Sequence, residues 1–170
     1  VIKLTDYPQL RKHLEANGLG IKRRHVAQKN PDSWFRTIDR VYPELVPVPK
    51  LLIPDIAGSN EVALDKGHYH PHHNLYFVVS ETWDMEVLGG LLSSRVALFF
   101  IWSYATKMRG SYLRFQAQYL RRIRVPNPTG LSAKLTKAIR AAFIARDFEK
   151  LDELALEAYG LKKLPIFDFV

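Results

Sequence analysis

Residues 87–102 read Val-Leu-Gly-Gly-Leu-Leu-Ser-Ser-Arg-Val-Ala-Leu-Phe-Phe-Ile-Trp, and how this run is taken decides the fold. Its uninterrupted apolar part, 96–102, is far shorter than the roughly 20 residues that a membrane span needs. The run therefore predicts a long buried helix, capped by Thr82 or Asp84 and continuing to about Ala105. On its N-terminal side, Leu75-Tyr-Phe-Val-Val79 is β-branched and aromatic, the composition of a strand. Lys50-Leu-Leu-Ile-Pro-Asp-Ile56 reads as another strand, which Pro54 should push to a sheet edge or a bulge. Pro43, Pro47 and Pro49 forbid helix before it, and Gly58-Ser59-Asn60 is turn chemistry after it. On the C-terminal side, Pro126-Asn-Pro-Thr-Gly130 breaks the chain. Leu131, Leu135, Ile139 and Phe143 then fall at spacing four, and Leu151, Leu154 and Ala155 or Ala158 form a second stripe, which predicts two amphipathic helices. Tyr159-Gly160 should close the second with a left-handed cap. Strands and helices occur without βαβ alternation, so the class is α+β: a twisted sheet, a long buried helix and a C-terminal helical hairpin.

At the N-terminus, residues 7–15 predict a short helix with Asp6 as cap and Pro8 at an early position, ended by Asn17-Gly18. Lys22, Arg23, Arg24, His25 and Lys29 follow in a polar connector. The chain starts Val-Ile-Lys-Leu-Thr-Asp, with no initiator Met and no apolar leader core, which reads as part of a longer protein.

Charge narrows the function. The 170 residues carry 25 Lys+Arg against 17 Asp+Glu, a net +8. Residues 147–170 hold three bases and six acids, so residues 1–146 carry a net +11. That segregation favours a polyanionic partner. The densest basic stretch is 107–126, where Lys107, Arg109, Arg114, Arg121, Arg122 and Arg124 occur without one acid, interleaved with Tyr112, Phe115, Tyr119, Gln116 and Gln118. Cations neutralise phosphates, amides and guanidinium forks read base edges, and aromatic faces stack or pack. Lys107, Arg109 and Arg114 are candidates for phosphate or guanine contact, and Gln116 and Gln118 for adenine edges. Ser111 and Tyr112 suit phosphate oxygens or stacking. Arg121, Arg122 and Arg124, at helical spacing, equally suit a solvated face opposite Tyr119, Leu120 and Ile123. Arg23, Arg24 and Lys29 form a second, weaker phosphate patch.

Catalytic constellations are sparse. There is no cysteine, which excludes disulfides, thiolate zinc sites and a cysteine nucleophile, while a reducing cytoplasm is permitted. His68, His70 and His72 alternate in Gly-His-Tyr-His-Pro-His-His, so an extended segment would turn them to one face as metal ligands. Pro71 interrupts that alternation, and no further ligand is evident. Pro54-Asp55, Glu61 and Asp65-Lys66 supply the residue types of a metal-dependent nuclease at the wrong spacing. No Gly-x-Ser-x-Gly elbow, Gly-x-Gly-x-x-Gly turn or Walker loop occurs, so no cofactor cradle is visible and none is expected in this chain.

In order along the chain stand Pro49-Lys-Leu-Leu-Ile-Pro-Asp-Ile56, Tyr69-His-Pro-His-His-Asn-Leu-Tyr76, the 88–100 run, Arg109-Gly-Ser-Tyr-Leu-Arg-Phe-Gln116 and Tyr119-Leu-Arg-Arg-Ile-Arg-Val-Pro126. This series closely resembles the C-terminal target-recognition domain of TaqI-type adenine-N6 DNA methyltransferases, including enzymes fused to an endonuclease in restriction–modification systems. The resemblance covers roughly residues 34–126, and Leu-Asp-Glu-Leu-Ala-Leu-Glu-Ala-Tyr-Gly-Leu at 151–161 looks like the family's helical tail. It implies a division into a lead-in over 1–33, a DNA-recognition domain over 34–128 and a packed tail over 129–170. It also implies a separate N-terminal domain that binds S-adenosylmethionine and methylates adenine through an Asn-Pro-Pro-Tyr signature. Asn30-Pro31-Asp32 and Asn127-Pro128-Thr129 lack the second proline and the aromatic that would stack on a flipped base, so no catalytic residue carries over. The expected partners are double-stranded DNA and that methyltransferase domain of the same protein, without a membrane. Two other readings stay open on the residues alone: a free-standing metal-dependent nuclease or hydrolase built on the histidine cluster, and an RNA-binding module using the same cations.

Overall fold

The computed structural model describes residues 2–36, 41–59, 61–110 and 112–167. They fall into two compact units, Val1–Val41 and Tyr42–Val170.

The first unit is helical. α1 (Pro8–Ala16) begins with Pro8 in its first turn, where a missing N–H costs nothing. Tyr7, not Asp6, occupies the cap position, because Asp6 belongs to a 3-10 turn over Leu4–Asp6. The expected connector is instead two single-turn helices, α2 (Gly18–Lys22) and α3 (His25–Lys29). Arg24 fixes their ends by donating to the carbonyls of Ile21, Trp34 and Arg36. The Lys22 ammonium lies 4.7 Å from the Trp34 ring centre.

The second unit holds two three-stranded antiparallel sheets. In the first, β1 (Lys50–Pro54) lies between β3 (Ala63–Asp65) and β4 (Leu75–Val78). Leu51 pairs with Leu64 on one side and Val78 on the other. Pro54 was expected to mark a sheet edge or a bulge; β1 is central, and the irregularity falls at its end. The proline closes the strand, at the point where the chain leaves this sheet for β2 (Ile56–Ala57) in the next. The second sheet runs β2, β6 (Tyr112–Arg114), β5 (Lys107–Met108).

The apolar run 87–102 is buried as read, but as two helices rather than one: α4 (Met85–Leu92) and α5 (Arg95–Tyr104), bent by 55°. Asp84 starts α4 by accepting the N–H groups of Glu86 and Val87. Ser94 makes the break. Its hydroxyl donates to Leu91 O at 2.7 Å and accepts from Ala97 N–H, ending one helix and beginning the next. No single helix among the described residues is long and apolar enough to cross a membrane.

The C-terminal hairpin forms as read. α7 (Ala133–Ala145) is capped by Ser132 and α8 (Phe148–Ala158) by Asp147. Leu135, Ile139, Leu151, Leu154 and Ala155 face inward, against Val87, Leu91 and Val96. Glycine lets α4 and α7 approach: a Cβ on Gly90 would stand 2.6 Å from Ile139 Cγ2 and 3.0 Å from Leu151 Cδ2. Asp152 ties α8 to α5 by accepting the Arg95 N–H at 2.7 Å. A second apolar cluster joins Leu51, Ile53, Leu88, Leu92, Leu98, Ile101, Leu113 and Phe115, so the two sheets share a core with α4 and α5. Between β6 and the C-terminal hairpin lies the one-turn helix α6 (Ala117–Leu120). The α+β class holds, with small antiparallel sheets beside helices.

Candidate nucleic-acid interface

The basic stretch forms a short hairpin. β5 and β6 pair antiparallel with Met108 opposite Tyr112 and Lys107 opposite Leu113, and β2 adds Ile56 opposite Arg114. Side chains alternate across a strand. Leu113 (3% exposed) points into the core, with Phe115 just beyond the strand equally buried (2%). Tyr112 and Arg114 therefore share the outward face with Met108 and Ile56. Of the three aromatics in the stretch, only Tyr112 is presented to solvent, at 48% exposure. Phe115 belongs to the core, and Tyr119 is half-buried and stitched into its surroundings.

That stitching is specific. The Tyr104 hydroxyl donates to Tyr119 O at 3.0 Å, and the Tyr119 hydroxyl shares a 3.0 Å hydrogen bond with Thr106 Oγ1. The Thr106 bond, with help from Gln118, lowers the Tyr119 phenol below its ordinary pKa, whereas burial raises that of Tyr104. Gln118 donates to Gln116 at 3.2 Å, so the two candidate amides are paired with each other rather than presented singly.

The cations divide into held and unheld. The Lys107 ammonium sits 4.3 Å from the Trp102 ring centre, and the Arg122 guanidinium 4.4 Å from that of Tyr104. Arg114 donates to Asp55 Oδ2 at 2.7 Å, with the two side chains 33% and 23% exposed. Arg109 stands exposed in the hairpin turn beside Gly110, whose φ of 83° is the left-handed geometry of a tight turn. Arg121 and Arg124 are exposed too, but not on a helical face, because α6 ends at Leu120. Ser111 lies outside the described residues. In the first unit, Arg23 and Lys29 are exposed, while Arg24 is occupied by three carbonyls.

Asp55, whose sequence suggests only a nuclease-type carboxylate at the wrong spacing, is instead the partner of Arg114. It lies between β1 and β2, its N–H donating to Asn74 O at 2.9 Å and its carbonyl accepting from Phe115 N–H at 2.7 Å. Its partner Arg114 is 59 positions away. The only local signal was the Pro-Asp pair at the end of a strand.

The histidine segment does not gather into a metal site. His70 Nε2 accepts the Tyr42 N–H at 3.2 Å, and its Nδ1 lies 2.9 Å from Pro71 O. The His72 and His73 rings lie 4.1 Å apart. Among the described residues, no three His, Asp or Glu side chains are grouped to hold a metal ion. The arrangement suits anion and base-edge recognition: an exposed arginine at a tight turn, an exposed tyrosine, and a carboxylate-held arginine on one sheet face.

Comparison with known proteins points the same way. The model of the TaqI-like C-terminal specificity domain matches residues 10–125. The chain is 48% identical over 163 residues to the type II methyltransferase M.XhoI of Xanthomonas vasicola, covering 96% of this chain and 30% of that protein. It is 47% identical over 166 residues to the type II methyltransferase M.BstVI of Geobacillus stearothermophilus, covering 98% and 30%. With the type II methyltransferase M.PaeR7I of Pseudomonas aeruginosa the identity is 45% over 161 residues, covering 95% and 28%. The chain thus spans about 30% of the length of the curated relatives it matches.

Proposed function

The chain belongs to the family of TaqI-like C-terminal specificity domains, and from that premise we propose that it is the DNA-recognition module of a type II, adenine-N6 DNA methyltransferase of a restriction–modification system. S-adenosylmethionine and the methyl-transfer chemistry belong to a catalytic domain of the same protein outside these residues. The observation that carries the reading is the β5–β6 hairpin, where exposed Arg109 in the turn is followed along β6 by exposed Tyr112 and the Asp55-held Arg114.

Each residue has a distinct task. Arg109 neutralises a phosphate from the turn. Arg114, oriented by Asp55, presents its remaining donors to a guanine edge or a phosphate. Tyr112 stacks or donates to a phosphate oxygen, and a phosphate contact is the role proposed for Ser111 as well. Lys107 and Arg121 extend the positive field along the duplex, with exposed Arg23 and Lys29 as a second, weaker patch beside the carbonyl-held Arg24. Gln116 and Gln118 open their mutual hydrogen bond to pair with an adenine edge. Residues 34–128 form the recognition part, 1–33 the lead-in and 129–170 the tail that braces α4 and α5.

Fluorescence anisotropy with duplex DNA tests the reading. The chain alone binds with strong salt dependence and little sequence preference, since the base-flipping pocket lies elsewhere. Indifference to DNA in dilute buffer, or a marked preference for duplex RNA, overturns it.

A further inference from the structure

The segment from Lys66 to Asn74, with its four histidines, takes no part in the contacts proposed above. Its base is fixed on several sides. Asp65 accepts the backbone N–H groups of Gly67, His68 and Tyr69 at 3.2, 2.9 and 3.2 Å. The same carboxylate pairs with Lys50, the two side chains being 0% and 2% exposed. Gly67 has φ 99°, and a Cβ there would stand 2.5 Å from Pro47 O. The far end is anchored too: Leu75 N–H donates to His72 O at 2.8 Å, and Asn74 O accepts the Asp55 N–H at 2.9 Å.

What this base presents is very different. Tyr69 is 70% exposed, and Lys66, His68, His72 and His73 are exposed beside it. Residues 66–74 contain no acid, and the adjoining Asp65 is sealed against Lys50. The surface is therefore rich in hydrogen-bond donors, aromatic and free of exposed carboxylates within 66–74, which matches phosphate and sugar–base edges. It is also tied to the hairpin. Asp55 holds Asn74 through its N–H and Arg114 through its carboxylate, so loop and hairpin share one anchoring residue.

We infer that loop 66–74 is a second DNA-contacting element, in which the His68 and His72 rings donate to phosphate oxygens and Tyr69 lies against the duplex gripped by the β5–β6 hairpin. This rests on the DNA-recognition reading above. His70 is excluded, because its ring is committed to Tyr42 and Pro71.

The test titrates a duplex of random sequence into the chain at low salt while following the ring resonances of Tyr69, His68, His72 and Tyr112. In parallel, affinity is measured for the variant carrying Tyr69→Ala, His68→Ala and His72→Ala. All three sites are exposed, so the variant should keep the wild-type amide spectrum outside the loop. Expected is that loop and Tyr112 signals move together and that the variant binds about tenfold more weakly, the loss of roughly one charge-assisted hydrogen bond. If Tyr112 responds while the loop stays silent, or the variant binds like wild type, the inference is overturned and the DNA reading stands. If nothing responds and no binding occurs, both fall.

Discussion

Asp55 and Arg114, 59 residues apart in sequence, form a 2.7 Å ion pair that bridges the exit of one sheet and the middle strand of the other. The pair is partly exposed and single-pronged: Asp55 Oδ1 and Arg114 Nε are both buried without a hydrogen-bond partner. An arginine held by one prong keeps donors for a ligand while losing freedom of orientation, which lowers the ordering cost of contact.

Double-mutant cycles on this pair follow directly. Asp55→Ala and Arg114→Ala should couple by about 0.2–1 kcal/mol in urea unfolding, the range of a solvent-screened pair. In DNA binding, Asp55→Ala should reproduce most of the loss seen for Arg114→Ala. An Asp55→Ala chain that binds as well as wild type would show that the carboxylate does not position the arginine.

Arg109 makes a simpler prediction. It is exposed in the turn and has no ion-pair partner among the described residues. Arg109→Ala should weaken all duplex sequences alike and reduce the slope of log K against log salt by about 1. A sequence-dependent loss would make it a base reader instead.

The Lys50–Asp65 pair should dominate the mutational energetics of the first sheet. Lys50→Met leaves a buried carboxylate without its counter-charge and should cost about 3–5 kcal/mol of unfolding free energy. Urea denaturation measures it.

The same pair sets an acid limit. Burial alone would raise the Asp65 carboxyl. The Lys50 hydrogen bond, the backbone N–H groups of His68 and Tyr69 and the Lys50 charge outweigh it and hold the group well below the ordinary carboxylate range. A depressed folded-state value means that this stabilisation is fully present above the unfolded carboxyl's pKa, about 3.9. It drains away as pH falls below that value towards the folded one. Wild type should therefore lose stability below about pH 4 more steeply than Asp65→Asn does, as read by unfolding midpoints across pH.

Tyr159 offers the opposite sign. Its hydroxyl is buried without a hydrogen-bond partner, and burial pushes the phenol up to about 12. Tyr159→Phe removes an unsatisfied polar atom and should stabilise the chain by about 1 kcal/mol. Ultraviolet titration should show one phenol fewer ionising near the top of the range. A destabilised variant would show that the hydroxyl has a partner after all.

Much of the fold was legible because it is local. The stripe Leu135–Ile139 and the trio Leu151, Leu154, Ala155 are periodic patterns that only a helix can bury. The break at Ser94 was not, since a serine inside an apolar run signals a cap only when its hydroxyl reaches Leu91 O and Ala97 N–H together. Lys50 at a strand start reads as a solvated cation, and its burial depends on an acid 15 positions on. The candidate site was legible as a basic, aromatic stretch but not in its division of labour. Trp102 claims Lys107, Tyr104 claims Arg122 and Asp55 claims Arg114, and each of those choices is made by tertiary packing.

The alternation along β6 has a consequence for descent. Leu113 and Phe115 anchor the core, while Tyr112 and Arg114, their neighbours in sequence, face away from it. Substitutions at exposed Tyr112 alter the presented surface while Leu113 and Phe115 keep the strand seated in the core, so surface chemistry and scaffold can diverge at different rates.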